Sequence, residues 1–176
     1  VYVGGNFVDG DGISAADSIA MWDGTNWSAV GAGLGSYVYA LEFVGDLLYA
    51  GGSFTTGAGV SGADRIAMWD GTSWNAVGGG LSNHVFALHA VGSDLFAGGT
   101  FSDAGGIAAA DSIAKWDGSS WSALGDGLST GVYALASSGA DLHVGGIFTD
   151  AGGDASADYH AVWDGVAWKP AGTGLN

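Results

Sequence analysis

One spacing governs what this chain can fold into. Trp22, Trp69, Trp116 and Trp163 stand 47 residues apart at every step, with no insertion. Each sits in a nearly identical phrase: "SIAMWDGTNWSAVGAGL" at 18–34, "RIAMWDGTSWNAVGGGL" at 65–81, "SIAKWDGSSWSALGDGL" at 112–128 and a worn "YHAVWDGVAWKPAGTGL" at 159–175. Aligning 1–47 with 48–94 leaves 27 of 47 positions identical. A period of roughly 20–50 residues marks solenoids, propellers or arrays, in which one unit cannot bury its own apolar faces. The chain therefore divides into repeats 1–47, 48–94, 95–141 and 142–176.

Each unit holds four β signals. Segment a is "VYALEFVG" and its copies; b is "VYVGGNF", "LYAGGSF", "LFAGGTF" and "LHVGGIF". Segment c is "IAMWDG" with its copies, and d is "WSAVGAGL" with its copies. All are short, partly aromatic or β-branched, and bounded by Gly, Asp, Ser or Asn. No segment keeps a 3.6-residue apolar stripe for three turns, so helix is not expected. Tight turns join a to b (Gly45-Asp46; Gly92-Ser93-Asp94; Gly139-Ala140-Asp141). Asp-Gly turns, which tolerate positive φ, join c to d. A longer loop such as "VDGDGISAAD" joins b to c. The expectation is an all-β fold of four-stranded antiparallel blades stacked radially as a β-propeller. In that arrangement Trp22, Trp27, Trp69, Trp74, Trp116, Trp121, Trp163 and Trp168 fill the gaps between neighbouring blades.

The string hYxGGxF…IAxWDGxxWxxVGxGL…VxAL resembles a Kelch-type blade. It is more closely similar to WDG-type repeats of large secreted or surface-anchored bacterial proteins and of fungal cell-polarity marker proteins. The resemblance spans the whole chain and implies a propeller on the outside of a cell. The Asp richness, the scarcity of Arg and the WDG turn depart from intracellular Kelch propellers and speak against a ubiquitin-ligase adaptor role.

Fifteen strands are expected, because the chain opens on b and ends on d. The first unit lacks its inner strand, and the chain is twelve residues short of four full units. It also begins without Met or a signal peptide, and so reads as a processed or excised piece. Three readings follow: a second chain completes a larger ring, the segment belongs to a longer repeat array, or four blades close alone. A larger parent or assembly is favoured, with self-association through the open edge.

Composition excludes several functions. The chain carries 17 Asp and one Glu against two Lys and one Arg, for a net charge of −15. Such a surface repels phosphate backbones and anionic headgroups, so no nucleic acid or membrane partner is expected. No apolar run approaches the roughly 20 residues of a membrane span. There is no cysteine, and only 12% of residues are charged, against about 25% in an average domain.

No catalytic constellation is visible. The one G-x-S-x-G string, "GLSTG" at 127–131, runs into a β segment and so makes no nucleophile elbow, and "GAGVSG" at 57–62 lacks the helix a phosphate loop needs. The four histidines show no metal-ligand spacing; His143 and His160 stand where other repeats carry Tyr or Phe and Ile, as drifted packing positions. "DGDGIS" at 9–14 fails as an EF-hand because Ile13 and Ser14 take ligand and glycine places. The chain is therefore expected not to be an enzyme and to need no cofactor, with Ca²⁺ the one candidate ion.

Alternating strands place the b–c and d–a loops at one end of every blade. That end collects Asp9, Asp11, Asp103, Asp150 and Asp154, the candidate cation ligands. It also collects the variable Ser36, Tyr37, Asn83, His84 and Thr130, the candidate ligand-binding residues, since recognition concentrates on loops of a rigid scaffold. Asp17, Asp64, Asp111 and Asp158 recur at one place before segment c, as a loop cap through backbone N–H bonds would. The expected function is a non-enzymatic binding module of a secreted or surface protein, its protein or carbohydrate ligand docking on this end. The alternatives are a structural segment of a surface array, fibre or oligomeric propeller, then a cation-dependent lectin or an enzyme.

Overall fold

The computed structural model describes residues 1–172 and contains fifteen strands in four antiparallel sheets. Sheet 1 has β1 (Tyr2–Gly4), β2 (Ile19–Trp22) and β3 (Trp27–Ala29). Sheet 2 has β4 (Val38–Val44), β5 (Leu47–Gly52), β6 (Ile66–Trp69) and β7 (Trp74–Ala76). Sheet 3 has β8 (Val85–Val91), β9 (Asp94–Gly99), β10 (Ile113–Trp116) and β11 (Trp121–Ser122). Sheet 4 has β12 (Val132–Ser138), β13 (Asp141–Gly146), β14 (His160–Trp163) and β15 (Trp168–Pro170). Strand order follows chain order in every sheet, so each is a meander, blade-like, and the first lacks an a strand. The end of the fourth d segment, residues 173–176, lies outside the described residues.

Local chemistry accounts for these elements. The a–b hairpins turn on two residues, Gly45-Asp46, Gly92-Ser93 and Gly139-Ala140; Asp94 and Asp141 already belong to the following strands. At the c–d turns Asp70 Oδ1 accepts the N–H groups of Thr72 and Ser73, both at 2.8 Å, and Asp117 does the same for Ser119 and Ser120. The Thr72 and Ser119 hydroxyls first, and these N–H groups after them, hold the Asp70 and Asp117 carboxyls far below the usual carboxylate range. The d strands are shorter than their apolar segments, because Gly31, Gly78 and Gly125 turn the chain with φ near 60°. The b–c loops contain four single 3₁₀ turns, at Gly10–Gly12, Gly57–Gly59, Ala104–Gly106 and Ala151–Gly153.

Burial lies between sheets. Ile19, Val30, Val38, Leu48, Phe54 and Trp74 form one core between sheets 1 and 2. Tyr49, Ile66, Val85, Leu95, Phe101 and Trp121 form the second, and Phe96, Ile113, Val132, Leu142 and Phe148 the third. In sheets 2, 3 and 4 the Trp pair of the cross-strand c–d contact leans on the preceding sheet. A Cβ on Gly31 would stand 2.9 Å from Trp69 Cζ3 and 3.0 Å from Trp74 Cδ1, so only glycine admits the indoles. Trp74 and Trp168 donate to the carbonyls of Val30 and Leu124 at 3.0 and 2.9 Å, while Trp121 Nε1 is buried without a partner. Trp22 and Trp27 have no preceding sheet and are half-buried. Among the described residues no backbone hydrogen bond and no core cluster joins sheet 4 to sheet 1.

Candidate functional site

The glycine pair that ends each b strand positions one edge of the molecule. A Cβ on Gly51 would lie 2.6 Å from Val85 Cγ1, and one on Gly98 2.5 Å from Val132 Cγ1. These first glycines admit the next sheet. A Cβ on Gly52 or Gly99 would collide with the carbonyl oxygen of Tyr37 or His84. Those carbonyls accept the N–H groups of Ser53 and Thr100 at 2.9 and 3.0 Å. The second glycines therefore clamp the d–a loop onto its sheet, at the residues that carry Tyr37 and His84.

Immediately afterwards each a strand bulges. Val38 pairs with Gly52 and Ala40 with Gly51, which leaves Tyr39 as the extra residue; Phe86 and Tyr133 occupy the same place in β8 and β12. A bulge re-aims one side chain and changes the phase of the strand. Val38 and Leu41, three residues apart, consequently both face Gly4 of the preceding sheet, and the aromatic residue between them is turned out. The result is a row of rings across three sheets. Tyr39 lies 5.3 Å from Phe86 between ring centroids, and Phe86 lies 5.2 Å from Tyr133. Tyr37 stacks on Tyr39 at 5.8 Å, and His84 stands edge-on to Tyr39 and Phe86 at 6.2 and 5.8 Å. The row is open to solvent: Tyr37, Tyr39 and Tyr133 are 46%, 43% and 47% exposed.

The sequence-chosen residues fall around this row unequally. Tyr37 and His84 belong to it. Ser36 shares a 3.1 Å hydrogen bond with Ser53, and Asn83 Oδ1 accepts the N–H of His84, so both hold the loops that carry the rings. Thr130 is exposed on the wall of a cleft of about 590 Å³ between sheets 3 and 4. The same cleft is lined by Thr100, Asp111, Asp126, Gly131 and Asp150.

Asp9, Asp11, Asp103, Asp150 and Asp154 are exposed on the b–c loops. Asp9, Asp103 and Asp150 take left-handed φ of 50–54°, and Asp154 Oδ1 is engaged by the N–H and hydroxyl of Ser156, which lower its pKa. Among the described residues no three His, Asp or Glu side chains come together as a metal site. Asp17, Asp64, Asp111 and Asp158 accept the N–H of the residue eight positions earlier, at 2.7–2.9 Å, which ties each b–c loop shut.

Two features escaped the sequence reading. Tyr39, Phe86 and Tyr133 looked like ordinary strand residues; the V-x-x-L spacing, which no regular strand can place on one face, was the available sign of the bulge. His143 and His160 meet at 3.3 Å, Nδ1 to Nε2, as diagonal neighbours on β13 and β14. Their separation of 17 residues carries no metal-motif signature.

Comparison with known proteins returns no match to a family model, a curated protein or a solved structure.

Proposed function

We propose that the four sheets are blades of a β-propeller-type repeat of the WDG, Kelch-like kind, and that the chain is a non-enzymatic binding module of a secreted or cell-surface protein. Its ligand lies along the row of Tyr37, Tyr39, His84, Phe86 and Tyr133. The observation that carries this reading is the exposure of Tyr37, Tyr39 and Tyr133 in a row that crosses sheets 2, 3 and 4. Three independent bulges place three aromatic residues outward at one register, where each ring leaves apolar area in water. An exposed, contiguous aromatic surface is the expected signature of a recognition site.

The test is a binding screen against glycan and peptide libraries with the intact chain and with Tyr39→Ala/Phe86→Ala. Binding lost in the double variant, with unchanged circular dichroism, supports the row as the site. Binding that survives there and disappears on changing the c–d turns at the opposite end sinks it. A structural role in an array has one observation in its favour: β1 is an edge strand without an a-strand partner. Growth of the particle mass with concentration in light scattering would favour that reading.

A further inference from the structure

The binding reading above leaves the ligand's chemistry open, and the charge distribution around the row narrows it. We infer that the row receives an extended peptide carrying arginine or lysine side chains, their cationic groups seated on the ring faces of Tyr39, Phe86 and Tyr133. The inference rests on that reading of the row.

Aromatic faces are the negative ends of the ring quadrupole and attract guanidinium and ammonium groups within about 6 Å of the centroid. The row supplies such faces at successive centroid spacings of 5.3 and 5.2 Å, one from each sheet. The charge of −15 adds long-range attraction for a cation and repels anionic ligands. The chain's own cations do not compete for the rings. Lys115 pairs with Asp94 at 3.1 Å, Lys169 pairs with Asp164, and Arg65 donates to the Phe54 carbonyl.

The row also runs into the acidic cleft. A Cβ on Gly131 would lie 3.2 Å from both Tyr133 Oη and Thr100 Cγ2, and Gly131 and Thr100 line the cleft with Asp111, Asp126 and Asp150. No Lys or Arg lines it. A side chain that leaves the Tyr133 ring therefore enters a space of about 590 Å³ bordered by three carboxylate residues. A neutral sugar would find the rings and gain nothing from this charge.

The experiment titrates the full 176-residue chain with hepta-arginine, with a neutral peptide of equal length and with a neutral hexasaccharide, by calorimetry at low and moderate salt. Tyr39→Leu/Phe86→Leu keeps charge and apolar bulk but removes both ring faces. Asp126→Asn removes one cleft charge. Hepta-arginine is expected to bind, to weaken about four- to twenty-five-fold in the Leu pair, at about two- to fivefold per ring, and to weaken further with salt and in Asp126→Asn. Unfolding midpoints equal to the parent's exclude a folding defect. Hepta-arginine binding unchanged in the Leu pair would reduce the interaction to general surface attraction and overturn the inference. Row-dependent binding of the hexasaccharide, without hepta-arginine, would overturn it and leave the binding module standing. Row-independent behaviour of all three probes would overturn both.

Discussion

On the face that sheet 2 packs against sheet 3 stand Tyr49, Ile66 and Met68; at the same three places sheet 4 carries His143, His160 and Val162. Strand register is shared, since Tyr49 faces Met68 as His143 faces Val162. Their surroundings are not. Tyr49 and Ile66 are buried, whereas the imidazoles are half-buried and Ala134, Ala136, Ser137 and Ser138 beside them are exposed. The same strand register carries either set of side chains. In repeat proteins a polar outer face is what keeps an uncovered unit soluble. Sheet 1 makes no such concession: its uncovered side keeps Trp22 and Trp27 and exposes Val3 and Val8.

The largest expected effect separates covered from uncovered packing. Phe54, Phe101 and Phe148 are fully buried, while Phe7, at the same place in repeat 1, is half-buried. Phe54→Ala is expected to cost about 3–5 kcal/mol, the range for deleting a buried aromatic side chain. Phe7→Ala is expected to cost clearly less. Urea unfolding of the two variants checks this, and equal losses would mean that the first sheet is as well covered as the second.

Glycine substitutions give a sharper contrast with a smaller effect. In Gly51→Ala the new methyl stands 2.6 Å from Val85 Cγ1, on a β-branched side chain with little freedom to move. A cost of about 1–3 kcal/mol is expected from overpacking. In Gly145→Ala, at the same place two sheets further along, the nearest side-chain atom is Ala134 Cβ at 3.7 Å. That variant is expected to match the parent in unfolding midpoint. If both variants lose stability alike, the free face of sheet 4 is covered in solution.

Rewriting the free face tests its polarity directly. His143→Tyr/His160→Ile installs the residues of repeat 2 on sheet 4. The expected outcome is a particle mass that rises with concentration in light scattering, with secondary structure retained. A strictly constant mass would remove solubility as the reason for the two imidazoles.

How much of this was legible beforehand follows from which residues repeat. The 47-residue period placed the strands in chain order, including the short first sheet, because the a–b and c–d turns are too short for any pairing but an antiparallel hairpin. The tryptophans recur where two sheets meet, whereas the part that Gly31, Gly51 and Gly98 play in admitting the neighbouring sheet shows only in the structure. The aromatic row was half visible. Tyr37 and His84 stand out as variable loop residues, but Tyr39, Phe86 and Tyr133 are turned outward by a bulge, and regular alternation hides a bulge. The imidazole pair was invisible for a related reason: β13 and β14 bring His143 and His160 together by diagonal register, which no short-range spacing encodes. The carboxylates of the b–c loops misled in the other direction. Shared topology put them at one end, and among the described residues no three of them come together as a metal site.

The smallest effect concerns the c–d turns, where the fourth repeat differs again. Asp117 is held low chiefly by the Ser119 hydroxyl and then by the N–H groups of Ser120 and Ser119. Val166 and Ala167 offer Asp164 no hydroxyl; its carboxyl is held low chiefly by Lys169, then by two N–H groups. Both folded-state pKa values lie below the unfolded value of about 3.9. Each carboxylate therefore contributes stability that is present above that value and lost as pH falls through the folded pKa. Salt should separate them. Screening at about 1 M shortens the reach of exposed charges to about 3 Å and weakens the Lys169 pair, while hydrogen bonds from hydroxyl and amide groups persist. In an NMR titration the Asp164 carboxyl is expected to move back toward the ordinary range at high salt, and Asp117 to stay low. Lys169→Met should reproduce the salt shift at Asp164 without salt. If Asp117 moves as far as Asp164, its low pKa comes from the general field of the protein and not from its turn, and the two turns are the same device.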